Sequence, residues 1–519
     1  MKLSKSVMFG AAACLLSTSA SAQAAGDLLA LSQYNYSFST ARSAALGGAF
    51  TSLGADLSSM SINPAGLGMY MSSDFGISPS LTWNNMQSTY LGTKSDYSRT
   101  RFTLGNLGMA FNLYQGSGTL TSFTLGVGYS KLADFNTTSA AYGQGIDKSI
   151  TDVLAEYMNG VPLSSLGHPD NDPYQPFRRA DVGLWGGILA YQTGILDPMS
   201  DAQDNKQYTV ANNLATGSRI NPSMRNVNKG SIDEYSISGG FNIQNILYLG
   251  FTIGIQDILY RNDNYYAETY DNNSLPLNGM NYIRSLHLDG TGVNFKFGAV
   301  VRPIENLRIG VAVHTPTLVS INEEYIEWMS ADYKNTARGE LLDSPRSLNE
   351  YDINTPTRLL TGISYTLPGV GLITADYERV WYNRMKLRNM GTENWDFQQT
   401  INNEVSSFYQ PANNFRVGIE ATPAQNFYIR AGYANYGECI ATRDAFNNMS
   451  SINSYENYSA GLGFRFQNMY VDLAYIYTEY KYAPYTMFYY GDPDYVVNPG
   501  NVETKQSRNT ITMSVGVRF

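Results

Sequence analysis

The sequence predicts an all-β fold: a transmembrane antiparallel β-barrel of about fourteen strands, with an N-terminal hatch folded inside the lumen. Three observations predict it. Apolar side chains alternate with small or polar ones in segment after segment. The joins between those segments alternate between tight turns and long polar stretches. Aromatic residues reach 13% while charged residues make up only 15% of the 519 positions, well under the ~25% of ordinary soluble chains.

The last segment shows the alternation most clearly. Ile511, Met513, Val515, Val517 and Phe519 share one face, and Thr510, Thr512, Ser514, Gly516 and Arg518 share the other. A strand has a period of two, so one face is wholly apolar and the other small or polar. Phe415, Val417 and Ile419 alternate in the same way with Arg416, Gly418 and Glu420, and Val293, Phe295 and Phe297 with Asn294, Lys296 and Gly298. Such a pattern suits a water-soluble sandwich as well as a barrel.

The joins separate the two. Strands are predicted at 74–83, 99–113, 119–132, 229–243, 247–268, 288–303, 306–322, 356–367, 371–386, 413–422, 426–436, 456–466, 469–482 and 506–519. Tight turns such as Gln244-Asn245-Ile246, Ile304-Glu305 and Gln467-Asn468 alternate with long polar joins at 84–98, 269–287, 323–355, 387–412, 437–455 and 483–505. Short periplasmic turns and long extracellular loops are the asymmetry of outer-membrane barrels, and a sandwich has no reason to sort its loops. The expected location is therefore the bacterial outer membrane. Tyrosines crowd the loop-ward strand ends, as at Tyr475, Tyr477, Tyr480 and Tyr482, where an amphipathic ring suits the headgroup zone.

The chain opens on an export signal, residues 1–22. Lys2 and Lys5 form its positive end, Val7 to Leu16 its apolar run and Ala20-Ser21-Ala22 its cleavage site. A lipoprotein anchor at Cys14 is the alternative, although Ala11-Ala12-Ala13 lacks the usual large aliphatic residue. Beyond this segment nothing approaches the ~18 consecutive apolar residues of a spanning helix. The mature chain would keep Cys439 alone, which excludes an internal disulfide and a Cys/His zinc cluster. A net charge of −9 with no basic run argues against nucleic-acid binding. The three histidines, His168, His287 and His314, stand in no nucleophile or paired-acid spacing, so neither enzymatic activity nor a cofactor is expected.

Two segments do not fit a simple pore. Residues 23–73 precede the first strand of a barrel expected over 74–519 and are dominated by small, uncharged side chains. Such a stretch can pack inside a lumen; a periplasmic tail is the other reading. Within it, Asn63, Pro64, Ala65 and Gly66 predict a tight turn, because Pro64 fixes its φ and Gly66 permits unusual dihedrals. The second segment is a large insertion, 133–228, extracellular by strand parity. Its residues Leu184, Trp185, Ile188, Leu189 and Tyr191 form an apolar element too short to span a bilayer. It is either a landing place for apolar ligands or a lid over the barrel mouth. Lumen-facing Lys296, Arg416 and Arg430 are candidates for holding an anionic headgroup. Internal ion pairs, with Glu420 and Asp472 on the same surface, are the competing reading. Gly126 and Gly128, inside a strand, suggest a bend or a close backbone approach.

These residues resemble a known family. Ala41-Arg42-Ser43-Ala44-Ala45-Leu46-Gly47-Gly48-Ala49-Phe50, followed by Asn63-Pro64-Ala65-Gly66-Leu67, looks like the N-terminal hatch of FadL/TodX-type outer-membrane transporters of hydrophobic compounds. Arg308-Ile309-Gly310-Val311-Ala312-Val313-His314-Thr315-Pro316 and the hairpin from Asn414 to Tyr433 look like later strands of that family. The resemblance implies a plugged fourteen-stranded barrel that takes up fatty-acid-like molecules caught in a groove of the outer loops. It also implies a lateral exit at a kink in the early wall, for which Gly126 and Gly128 are candidates. The expected partners are membrane lipid and a hydrophobic small molecule, with the chain acting as a monomer. Two other roles remain open: a FadL-related scaffold or cargo shuttle in protein secretion, and a polar diffusion porin. The insertion matches the family imperfectly, so no groove residue is carried over to it.

Overall fold

A computed structural model describes residues 26–166, 172–210, 219–271, 277–334, 341–391, 394–441, 452–492 and 495–519. The expected export segment, 1–22, and His168 lie outside them. The described residues build one closed antiparallel barrel of fourteen staves. In chain order these are β1 (Asp74–Tyr90), β2 (Thr93–Gln115), β3 (Leu120–Asp134), β4 (Ile220–Ile243), β5 (Leu247–Tyr270) and β6 (Leu277–Ile304). Stave β7 runs Leu307–His314 and continues as Leu318–Tyr333, and β8 runs Ser347–Asn354 and then Arg358–Leu367. The remainder are β9 (Gly371–Trp381), β10 (Pro411–Ala424), β11 (Phe427–Tyr436), β12 (Ile452–Phe466), β13 (Met469–Tyr482) and β14 (Asn501–Arg518). Each stave pairs with its neighbours in sequence. The ring closes where β1 meets β14, from Asp74↔Arg518 to Tyr90↔Val502. Closure leaves no strand edge, which is the condition for placing a sheet in hydrocarbon.

Several joins are shorter than the sequence predicts. The expected loop at 84–98 is a hairpin: β1 and β2 stay paired as far as Tyr90↔Thr93, and Leu91 and Gly92 make the turn with φ of 47° and 84°. The joins expected at 269–287 and 323–355 contract likewise, because β5 runs to Tyr270, β6 starts at Leu277, β7 reaches Tyr333 and β8 begins at Ser347. Above the bilayer both faces of a strand meet polar surroundings, so the apolar/polar contrast that marks a stave in sequence disappears there. The insertion expected at 133–228 is bounded differently for the same reason. Its last residues already belong to β4, and a short strand, Thr137–Tyr142, pairs with them from Thr137↔Asn228 to Tyr142↔Ser223.

The alternation sorts side chains as the period of two requires. Phe297, Val311, Ile363, Ile373, Ile419 and Phe464 are exposed outward, a belt of apolar surface that only lipid satisfies. The inward residues are small, polar or paired, and the chain's own beginning fills the space between them. Ala41 N donates to Ser514 Oγ on β14 at 2.7 Å, and Thr51 N and Oγ1 donate to Asp376 Oδ2 on β9 at 2.9 and 2.7 Å. Thr252 Oγ1 on β5 donates to Met60 O at 3.1 Å, and Ser459 Oγ on β12 donates to Ala45 O at 3.0 Å. Leu46, Phe50, Leu57, Met60, Ile62 and Leu67 are buried. A segment with partners on opposite sides of a closed ring lies inside it.

Close approach explains how so much backbone fits. Gly240, Gly250 and Gly298 are direct cross-strand partners on β4, β5 and β6. A Cβ on Gly250 would sit 2.2 Å from the Pro64 carbonyl carbon, and one on Gly240 2.5 Å from Gly68 N. The three glycines therefore form a flat shelf beneath the residues after Asn63.

Two outcomes follow from this packing. Gly250→Val should push the turn off its shelf at a cost of about 1–3 kcal/mol, read as a lower temperature for the heat-modifiable gel shift; an unchanged temperature would show that the turn does not dock there. Val311→Arg, on the lipid belt, should cost about 2–4 kcal/mol in urea unfolding from vesicles, whereas a neutral result would mean that this face does not meet hydrocarbon.

Candidate functional site

Above the lipid belt the lumen holds a cavity of about 260 Å³. Three parts enclose it: helical residues 26–30 of the N-terminal segment, the wall of β4–β6, and a roof made of helix α1 (Ile150–Met158) with the loop after β13. Local sequence positions the roof. Ser149 caps α1 in a reciprocal capping box with Asp152, satisfying donors that a helix start leaves unpaired. Glu268, at the loop end of β5, then ties the helix down. Its carboxylate accepts from Ser149 Oγ at 2.6 Å, Ile150 N at 2.8 Å, and the hydroxyls of Tyr266 and Tyr270 at 2.6 and 2.9 Å. Burial pushes this carboxyl above its ordinary range, and the four donors offset part of that shift.

The lining has two faces. Ile150, Val153, Leu154 and Tyr157 of α1, with Met487 and Phe488, present an apolar roof. The wall is polar. Asn226, Asn264 and Arg284 stand in one cross-strand row over β4, β5 and β6, continued by Glu327 on β7. One step toward the membrane, Asn228 and Asn262 stand opposite each other. The side chains are linked across the strands: Asn262 Nδ2 donates to Asn228 Oδ1 at 2.6 Å, and Arg284 Nη2 donates to Asn264 Oδ1 at 3.2 Å. Arg284 Nε is buried without a partner among the described residues. Across the row, burial holds the Glu327 carboxyl at about 6 and pushes the Tyr282 and Tyr325 hydroxyls well above the usual phenol range. The remaining charges on the lining are Asp27, Asp134 and Arg508. Asp134 faces Arg101 at 3.8 Å, and Arg508 donates to Asn84 Oδ1 and to the Asp134 carbonyl.

The residues singled out from the sequence fall in four places. Asn63 caps a short 3-10 helix, Pro64–Met69, on the glycine shelf; its Oδ1 accepts from Ala65 N at 3.1 Å and its Nδ2 donates to Thr51 O at 2.6 Å. Pro64, Ala65 and Gly66 are buried there, toward the tight-turn end and apart from the cavity. Trp185, Ile188 and Leu189 of helix α2 (Trp185–Gln192) are buried in an apolar core shared by the insertion, the N-terminal segment and the upper staves, with Leu184 and Tyr191 packed against it. Trp185 stacks edge-on to Phe177 at 5.9 Å. None of these five lines the cavity, although neighbouring Gly183 and Gly186 do.

Lys296, Arg416 and Arg430 face the lumen as expected but lie below the cavity, each against an internal carboxylate. Lys296 pairs with Glu234, Arg416 with Glu378 at 3.3 Å, and Arg430 with Glu420 and Asp472 at 2.5 and 2.6 Å. A cation in the lumen costs several kcal/mol to bury alone, so the wall supplies its counter-charge, as the ion-pair reading expects. No register shift falls at the candidate kink glycines: both ladders run through Gly126 and Gly128, and Met60 of the N-terminal segment packs on them. The early wall shifts register instead between Ser78 and Pro79, where Gly105 is skipped opposite them, since proline has no N–H for a ladder.

The cavity's polar row escaped the sequence reading. Its signal was there: Asn226-x-Asn228 and Asn262-x-Asn264 each place two amides on one face at the strand period. Asn226 and Asn228 fall in the expected insertion and Asn262 and Asn264 in the expected strand 247–268, and only the register sets them side by side.

No family model matches the chain, and no curated protein matches it by sequence. Solved structures do. The toluene transporter TodX of Pseudomonas putida aligns over 94% of this chain and 99% of its own, with a TM-score of 0.51 at 13% identity. A FadL homologue of Pseudomonas aeruginosa aligns over 94% and 98%, with a TM-score of 0.52 at 12% identity. A TodX variant lacking S2 aligns over 94% and 100%, with a TM-score of 0.53 at 12% identity. The closed ring, its strand count and these alignments together give this chain the fold of the FadL/TodX-type outer-membrane barrels.

Proposed function

We propose that the protein is an outer-membrane transporter that takes up hydrophobic or amphipathic small molecules through a plugged barrel. The observation that carries this reading is the pairing of a covered cavity, roofed by apolar residues, with a lumen filled by the chain's own N-terminal segment. A diffusion porin needs an open lumen, and this one is occupied. TodX is a toluene transporter and shares the fold, which supports the same class of cargo here.

In this mechanism a molecule enters beneath α1 and leaves water for the roof, gaining ~25 cal/mol per Å² of apolar surface buried. Residues Asn63, Pro64, Ala65 and Gly66 lie between the cavity and the tight-turn end. Their departure from the glycine shelf would open the lower lumen and release the cargo. No nucleotide is needed, because the gradient of the cargo supplies the direction. The chain acts as a monomer within lipid, its sheet closed on itself.

Planar bilayers test the plug. The intact protein should show almost no single-channel conductance, and deletion of residues 27–70 should open steps of porin size while the heat-modifiable shift persists. An intact protein that already conducts like a porin sinks the plugged-transporter reading. A stable partner protein that co-purifies with the barrel would point to the secretion role instead.

A further inference from the structure

We infer that the cavity selects amphipathic anions that carry hydroxyl groups along one flank, in preference to plain hydrocarbons and straight-chain fatty acids. This rests on the uptake reading above and specifies its cargo.

A cavity for hydrocarbon needs apolar contact on every side, because each buried amide left without a partner costs about 1–3 kcal/mol. Here the roof, Ile150, Val153, Leu154 and Phe488, is apolar, while on the wall apolar Met224 and Leu286 flank polar rows. The wall opposite carries Asn226, Asn228, Asn262 and Asn264 in two adjacent rows. Their mutual hydrogen bonds leave valences over. The Asn262 carbonyl oxygen accepts no hydrogen bond among the described residues, and Arg284 Nε donates none. Neighbouring strands are about 4.8 Å apart, so the row from Ser139 beside Asn226 to Arg284 spans roughly 14 Å. A ligand lying along it would offer hydroxyls to the amides, its apolar body to α1, and its anionic end to Arg284.

Arg284 suits that end. It forms no ion pair within 4 Å among the described residues, in contrast to Lys296, Arg416 and Arg430 lower in the lumen. Its guanidinium lies 5.4 Å from the Tyr282 ring centroid, which fixes its plane. Glu327, its cross-strand neighbour, is engaged by the Tyr325 hydroxyl instead. The guanidinium therefore keeps donors for an incoming carboxylate.

The test uses the full protein in lipid nanodiscs and three probes: cholate, which has hydroxyls on one face of a rigid ring system; cholanate, the same acid without hydroxyls; and laurate, a straight chain. Cholate should bind at least about tenfold more tightly than cholanate, the loss expected when one or two hydroxyl partners vanish from a polar wall. Asn264→Leu should bring that ratio close to one, and Arg284→Gln should weaken both ring acids while Arg284→Lys restores part of the affinity. The heat-modifiable gel shift confirms that each variant folds. If cholanate or laurate binds as tightly as cholate, the inference is overturned while the uptake reading stands. If no probe binds, the inference also falls, and the conductance of the deletion variant judges the uptake reading separately.

Discussion

A backbone amide in hydrocarbon has no water to turn to, so every strand placed there must find a neighbour on both sides. The pairing of β1 with β14 meets that demand, and the rest of the molecule follows from it. Once the ring closes, outward residues face lipid and inward residues face a lumen of fixed width. Something must then occupy that lumen or it fills with water. The chain's first described residues do so, and they fit because glycines such as Gly250 and Gly298 let backbone lie directly on the wall. Serine and threonine around the ring then meet the segment's carbonyls, so its irregular path leaves few groups unsatisfied.

Charge inside such a lumen obeys the same economy of partners. Glu234 with Lys296, Glu378 with Arg416, and Glu420 with Arg430 and Arg42 join staves one or two apart or tie the N-terminal segment to them. These pairs are weak evidence for stability, since desolvation consumes most of the Coulombic gain. Their geometry does set where the segment can sit, because Arg42 reaches Glu420 only in this arrangement. Arg284 differs from them in lining a cavity and in forming no ion pair among the described residues. The presence or absence of a fixed counter-charge, and not a cation's mere presence in the lumen, separates scaffold from binding surface.

The cavity itself is an assembly of parts distant in sequence. Glu268 brings α1 over β4–β6 by two hydrogen bonds to the helix start, while Tyr266 and Tyr270 of its own strand hold the carboxylate, and so places leucine and tyrosine opposite asparagine. Removing the helix would expose an apolar core and a polar wall to water together. The roof and the selectivity of the wall are therefore one structural unit, fastened at a single buried carboxylate.

Strict alternation from Thr510 to Phe519, and its repeats upstream, determined the all-β class, and tight turns alternating with long joins determined the barrel and the order of its staves. The reason is local: a period of two is written residue by residue wherever one face meets lipid and the other does not. The turn at Asn63-Pro64 was legible for a similar reason, since proline and an Asx cap act within a few residues. Strand ends above the bilayer were not legible, because at Tyr90 or Tyr333 the two faces no longer differ in polarity. Nor was the site. Trp185 and Leu189 looked like a groove by hydrophobicity alone, yet whether an apolar side chain is buried in its own core or lines a cavity depends on what folds over it. Asn226, Asn264 and Arg284 became a row only through the register of three strands, a relation that no stretch of sequence contains.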